Sequence, residues 1–68
     1  MKIQLNKRNE IFNNFDEMSV EQLLKIKNFT FPMIIIKING KLIKKENYSD
    51  SIVKDGDDVT ALHLISGG

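Results

Sequence analysis

Hydrophobic and polar residues alternate from the start of the chain. Ile3 and Leu5 fall on one side of an extended segment and Lys2 and Gln4 on the other, the two-residue period of a half-buried strand. The polar run Lys7-Arg8-Asn9-Glu10 follows, and Ile11 and Phe12 resume as a return strand, so the pattern predicts an N-terminal β-hairpin turning over residues 7–10. Further on, the period lengthens. Val20, Leu23, Leu24 and Lys27 recur at helical spacing, giving a narrow apolar stripe beside which Lys27 lays its methylenes. Ser19 and Gln22 just ahead have the S-x-x-Q spacing of a capping box. Asn28 and Pro32 close the helix, because proline disfavours helical geometry at Phe31.

Met33 to Ile38 is rich in β-branched residues and ends in Asn39-Gly40, a dipeptide suited to a two-residue hairpin loop. In such a loop Ile38 faces Lys41 and Ile36 faces Ile43. That places Ile36, Ile38 and Ile43 on one face and Ile35, Lys37 and Leu42 on the other. Residues 45–51 are polar apart from Tyr48 and predict an irregular stretch or one short helical turn, before Asp55-Gly56-Asp57 turns the chain into a last strand from Val59 to Ile65. One helix with a single stripe needs a sheet to cover. The order hairpin, helix, hairpin, connection, strand therefore predicts one α+β domain over residues 1–68, with a helix lying across a mixed sheet of four or five strands.

Composition removes several kinds of chemistry. The 68 residues include no cysteine and one histidine, His63, so a disulfide, a thiolate ligand and a histidine-rich metal site are all outside the chain's means. Ten basic against nine acidic side chains leave a formal charge of +1, which gives no electrostatic reason to seek nucleic acid or membrane. The longest apolar run, Met33 to Ile36, is far shorter than the roughly 20 residues of a membrane span. A soluble cytoplasmic protein is the expectation. No glycine-rich phosphate loop is present, so any ATP chemistry must be held by a partner.

The last strand carries the most suggestive pattern. Val59 and Ala61 share one side, Thr60, Leu62 and Leu64 the other. If the helix covers Val59 and Ala61, then Leu62 and Leu64 join Ile35 and Leu42 on the open face, with Lys37 as a charged rim. Such an apolar patch points to docking of a partner, and a register that turns both leucines inward is the competing arrangement. His63 shares the phase of Ala61 and reads as structural, at the sheet margin. Asp55, Asp57 and Asp58 around Gly56 read as turn chemistry rather than a cation site. Lys41, Lys44 and Lys45 form a solvated basic cluster, and Tyr48 plugs the edge of the core. Beyond the strand, Ser66-Gly67-Gly68 is expected to be a flexible extended arm. A frayed end is the plain alternative, but glycine lacks a Cβ, so such an arm can enter a narrow channel and bring its carboxylate to a nucleotide phosphate.

Taken over its whole length, the chain resembles the ubiquitin-like sulfur carriers, and among them the ThiS family of thiamine biosynthesis. The residues that carry the resemblance are Ile38-Asn39-Gly40 followed by Ile43, the segment Ile52-Val53-Lys54-Asp55-Gly56-Asp57, and the ending Ile65-Ser66-Gly67-Gly68. The resemblance implies a ubiquitin-like β-grasp fold. It implies that a ThiF-type, E1-like adenylyltransferase activates the carboxylate of Gly68, with Gly67 and Ser66 threading that partner's active site. A sulfur-relay enzyme such as a cysteine desulfurase would then convert the end to a thiocarboxylate, and a ThiG-type thiazole synthase would take the sulfur. The chain itself would be no enzyme and would hold no cofactor, ATP being bound by the activating partner. Ala61 departs from the family's habit of more bulk at that inward position. Related expectations are a carrier of the molybdopterin synthase small-subunit type, although Val59 to Ile65 lacks the proline often found there, and a ubiquitin-like protein modifier. Outside the family lie a plain interaction module and a small RNA-binding β-domain, the latter disfavoured by near-neutral charge and the lack of a stacking platform.

Overall fold

Asn6 and Lys7 both have positive φ, 53° and 66°, the signature of a two-residue type I′ turn. They join strand β1 (Lys2–Leu5) to β2 (Arg8–Ile11) with Leu5 opposite Arg8 and Lys2 opposite Ile11. The turn expected over residues 7–10 is thus shorter and earlier. Asparagine tolerates the left-handed conformation, so Asn6 starts the turn without glycine, and Arg8, Asn9 and Glu10 become strand residues. The structure, a computed structural model, describes residues 1–64.

Strand β3 (Glu17–Ser19) runs into helix α1 (Val20–Ile26). The Gln22 N–H donates to Ser19 Oγ at 3.0 Å, while the Val20 and Glu21 N–H groups donate to the carbonyls of Ser51 and Tyr48 at 2.9 and 3.0 Å. Three of the N–H groups that a helix start leaves without intrahelical partners are thereby satisfied. At the other end Asn28 takes φ 58° and Phe29 N–H reaches the Leu24 carbonyl at 2.8 Å, closing the helix where a left-handed residue is commonly found.

Strands β4 (Ile34–Ile38) and β5 (Lys41–Ile43) flank Asn39-Gly40, at φ 51° and 83°. Ile36 stands opposite Ile43 and Ile38 opposite Lys41, the register that a two-residue loop dictates. A single 3-10 turn (Lys45–Asn47) leads to β6 (Ile52–Lys54) and then β7 (Asp58–His63). The turn between them is held by its aspartates. Asp55 accepts from Lys2 N–H at 2.7 Å and Asp57 from Lys54 N–H at 2.8 Å. Asp57 also accepts from Asn39 Nδ2 at 3.1 Å, which ties this turn to the β4–β5 turn.

Five strands form one mixed sheet in the order β2-β1-β7-β4-β5, with β1 and β7 parallel and the other pairs antiparallel. The helix stripe and one sheet face close the core, where Ile3, Leu5, Ile36, Val59 and Ala61 meet Val20 and Leu23. A second, two-stranded sheet pairs β3 with β6 and adds Met18 and Val53 to that core. The hydrophobic pattern predicts neither of these strands, since three residues are too few to show a period. The last strand also differs, starting at Asp58 and ending at His63; Ile65, its expected end, lies outside the described residues. Expected and observed architecture otherwise agree in an α+β, β-grasp arrangement of one helix across a mixed sheet.

Candidate functional site

The site begins with the pleat of β7. Val59 and Ala61 are buried beneath the helix, so the side chains between them, Thr60 and Leu62, face the opposite way. Leu62 pairs with Ile35, and Lys37 pairs with Thr60 on one side and Leu42 on the other. Ile35, Leu62, Leu42 and Lys37 therefore share the face that the helix leaves uncovered. Leu62 and Leu42 are 51% and 55% exposed, Ile35 is half-buried, and Lys37 is exposed at the rim. The competing register, with Leu62 turned inward, is not adopted.

Leu64 is placed differently. It follows the strand, is exposed, and donates its N–H to the Met33 carbonyl at 3.0 Å. It borders an open cleft of about 330 Å³ that also touches Leu24, Phe29, Phe31 and Tyr48, at the end of the sheet beside the helix. The two leucines thus border different surfaces. Ser66, Gly67 and Gly68, the proposed arm, lie outside the described residues.

His63 follows the phase of Ala61 but is exposed. Its ring stacks on Phe31 with centroids 3.8 Å apart and planes 13° from parallel, and Phe31 in turn lies 6.0 Å from Phe29. Sequence reasoning assigned neither phenylalanine a role. The available signal was Phe29-Thr30-Phe31 ahead of Pro32, with two aromatics one residue apart on a non-helical segment. Tyr48 is half-buried against the core and donates to the Ile34 carbonyl across a long 3.4 Å. Burial pushes its phenol above the usual range.

The remaining sequence candidates lie at the surface or in turns. Lys41, Lys44 and Lys45 are exposed, and only Lys45 touches the cleft. Among the described residues no three His, Cys, Asp or Glu side chains are grouped to hold a metal ion, and no helix is long and apolar enough to cross a membrane. Asp55 and Asp57 are engaged in turn hydrogen bonds. The arrangement suits recognition: an apolar face with a cationic rim, on the strand that leads toward the chain's end.

The ThiS family model matches residues 3–68. The crystal structure of the thiamine biosynthesis protein ThiS from Geobacter metallireducens is similar with a TM-score of 0.90 at 25% identity, over 100% of each chain. A solution structure of a thiamine biosynthesis protein from the same organism is similar with a TM-score of 0.76 at 24% identity, over 100% of this chain and 88% of the other. No curated protein matches.

Proposed function

Because the chain belongs to the ThiS family, we propose that it is a sulfur carrier of thiamine biosynthesis, a co-substrate that is charged and discharged rather than an enzyme. The observation that carries the reading is the family match, which extends over residues 3–68 and so takes in Ser66-Gly67-Gly68. The exposed face of Ile35, Leu62 and Leu42 with Lys37 supports it, because a carrier without catalytic groups must be gripped by the enzymes that act on it. Leu64 borders a separate cleft and is not part of that face.

The chemistry follows from the weakness of a resting carboxylate as an electrophile. An oxygen of the Gly68 carboxylate attacks the α-phosphorus of ATP and pyrophosphate leaves, giving an acyl adenylate. The terminal sulfur of a persulfide on a relay enzyme then attacks the acyl carbon and AMP leaves with its electron pair. A thiol reduces the resulting acyl disulfide, forming a disulfide with the relay cysteine and releasing the thiocarboxylate. Gly67 and Gly68, without Cβ atoms, suit passage through a narrow channel to the nucleotide. A ThiF-type, E1-like adenylyltransferase binds the ATP, a cysteine desulfurase supplies the sulfur, and a ThiG-type thiazole synthase receives it. The carrier needs no cofactor of its own and works in the cytoplasm.

Intact mass spectrometry tests the reading. The full chain, incubated with its E1-like partner, ATP, a cysteine desulfurase and cysteine, is expected to exchange one oxygen for sulfur. A mass that stays constant where a ThiS carrier of known activity is charged in parallel refutes it. Thiazole formation on adding thiazole synthase separates the thiamine assignment from a carrier that serves another acceptor.

A further inference from the structure

Strand β1 accompanies β7 in parallel only through Gln4 opposite Asp58 and Leu5 opposite Val59, and the Asn6 N–H then donates to the Val59 carbonyl at 2.9 Å. At Asn6 the backbone enters the left-handed region to begin the turn, so the chain bends away from β7. The side chain takes over the pairing. Ala61 N–H donates to Asn6 Oδ1 at 2.8 Å, and Asn6 Nδ2 donates to the Ala61 carbonyl at 3.1 Å. A carboxamide carries the same donor and acceptor as a peptide group, and here it stands in for one more residue of ladder.

Asparagine meets two demands at once. It tolerates positive φ in the turn, and its amide offers the donor and acceptor that Ala61 requires. Aspartate lacks the donor and glycine lacks the side chain. On the β4 side, pairing continues to His63 opposite Ile34 and to the Leu64 N–H on Met33. On the β1 side, Ala61 is the last β7 residue held among the described residues.

We infer that Asn6 is a positioning residue for the carrier's activated end. By gripping Ala61 it holds the last described stretch of β7, which carries Leu62 of the docking face, in place against β1. The inference rests on the carrier reading. Without the grip docking persists, while delivery of the Gly68 carboxylate to the partner's nucleotide declines.

Asn6→Gly tests this, because glycine keeps the turn's positive φ and removes only the amide. Lys7→Gly is the control, since Lys7 shares the turn and has no hydrogen bond to β7 among those described. The full chain is assayed with its E1-like adenylating enzyme for ATP–pyrophosphate exchange, with Kd measured separately and backbone hydrogen exchange followed at Ala61. The expected result for Asn6→Gly is a Kd within about twofold of wild type, faster exchange at Ala61, and a kcat lowered about tenfold, as befits a misplaced reacting group. Lys7→Gly is expected to leave all three unchanged. An unchanged kcat in Asn6→Gly overturns the inference, as does an equal loss in Lys7→Gly or a loss confined to Kd. Should Asn6→Gly fail to fold, Asn6→Asp takes the same test, and unchanged kcat there overturns it too. No exchange with wild type refutes the carrier reading instead.

Discussion

Ile35 and Leu62 stand directly opposite each other across the antiparallel β4–β7 pair, on the sheet face that the helix does not cover. Cross-strand neighbours have Cβ atoms about 4.5–5.5 Å apart, so the two form one apolar surface, extended by Leu42 beside Lys37. Covering a leucine side chain contributes about 1.5–3 kcal/mol, which Leu62→Asp forfeits at the moment of docking. The substitution is expected to weaken binding to the E1-like partner by tenfold or more. Because Leu62 is 51% exposed, the melting temperature should stay within a few degrees of wild type. Calorimetric titration and thermal denaturation read the two effects separately, and unchanged affinity rejects this face as the docking surface.

Ser19 holds the helix start through one hydrogen bond to Gln22 N–H. Ser19→Ala leaves that N–H without its side-chain acceptor and is expected to cost about 1 kcal/mol, which in a domain of this size lowers the melting temperature by roughly 4–8 °C. Thermal denaturation followed by circular dichroism measures it. No change in melting temperature means that the cap contributes nothing.

Features with a strong local cause were legible in the sequence. Ser19 with Gln22 marked the helix start, Asn39-Gly40 marked the second hairpin, and the resulting two-residue loop set Ile36 against Ile43. The docking face was legible for a related reason. Once Val59 and Ala61 point inward, the pleat leaves Leu62 no other side. Features made by distant partners were not legible. Met18 and Val53 are the single buried residues of their three-residue strands, and nothing in either segment says that it pairs with the other. The Asn6 amide finds Ala61 across 55 positions, which no local pattern encodes. The Leu64 expectation assumed a strand running to Ile65, whereas β7 ends at His63.

Val53 measures how much the unforeseen small sheet matters. It is fully buried and stands opposite Met18 in the β3–β6 pair, directly ahead of the helix. Val53→Ala removes two buried methyl-sized groups and leaves a cavity, so a loss of about 2 kcal/mol is expected. Denaturant unfolding should show a lower midpoint with an unchanged slope. A loss near zero shows the small sheet to be peripheral to stability.

Tyr48 makes stability depend on pH in the alkaline range. Desolvation by burial raises its phenol pKa above the ordinary tyrosine value, so the folded state favours the neutral ring more strongly than the unfolded chain does. The sign follows from linkage. Below the unfolded pKa both states hold the proton and stability is independent of this group. As pH rises past about 10 the unfolded chain ionises first, and stability falls until the folded pKa is passed. Tyr48→Phe removes that dependence, together with the long hydrogen bond to the Ile34 carbonyl. The variant is therefore expected to lose less stability than wild type as pH rises through and above about 10. Urea unfolding across that range, comparing slopes of stability against pH, makes the test. Parallel slopes would show that Tyr48 ionises alike in folded and unfolded chains.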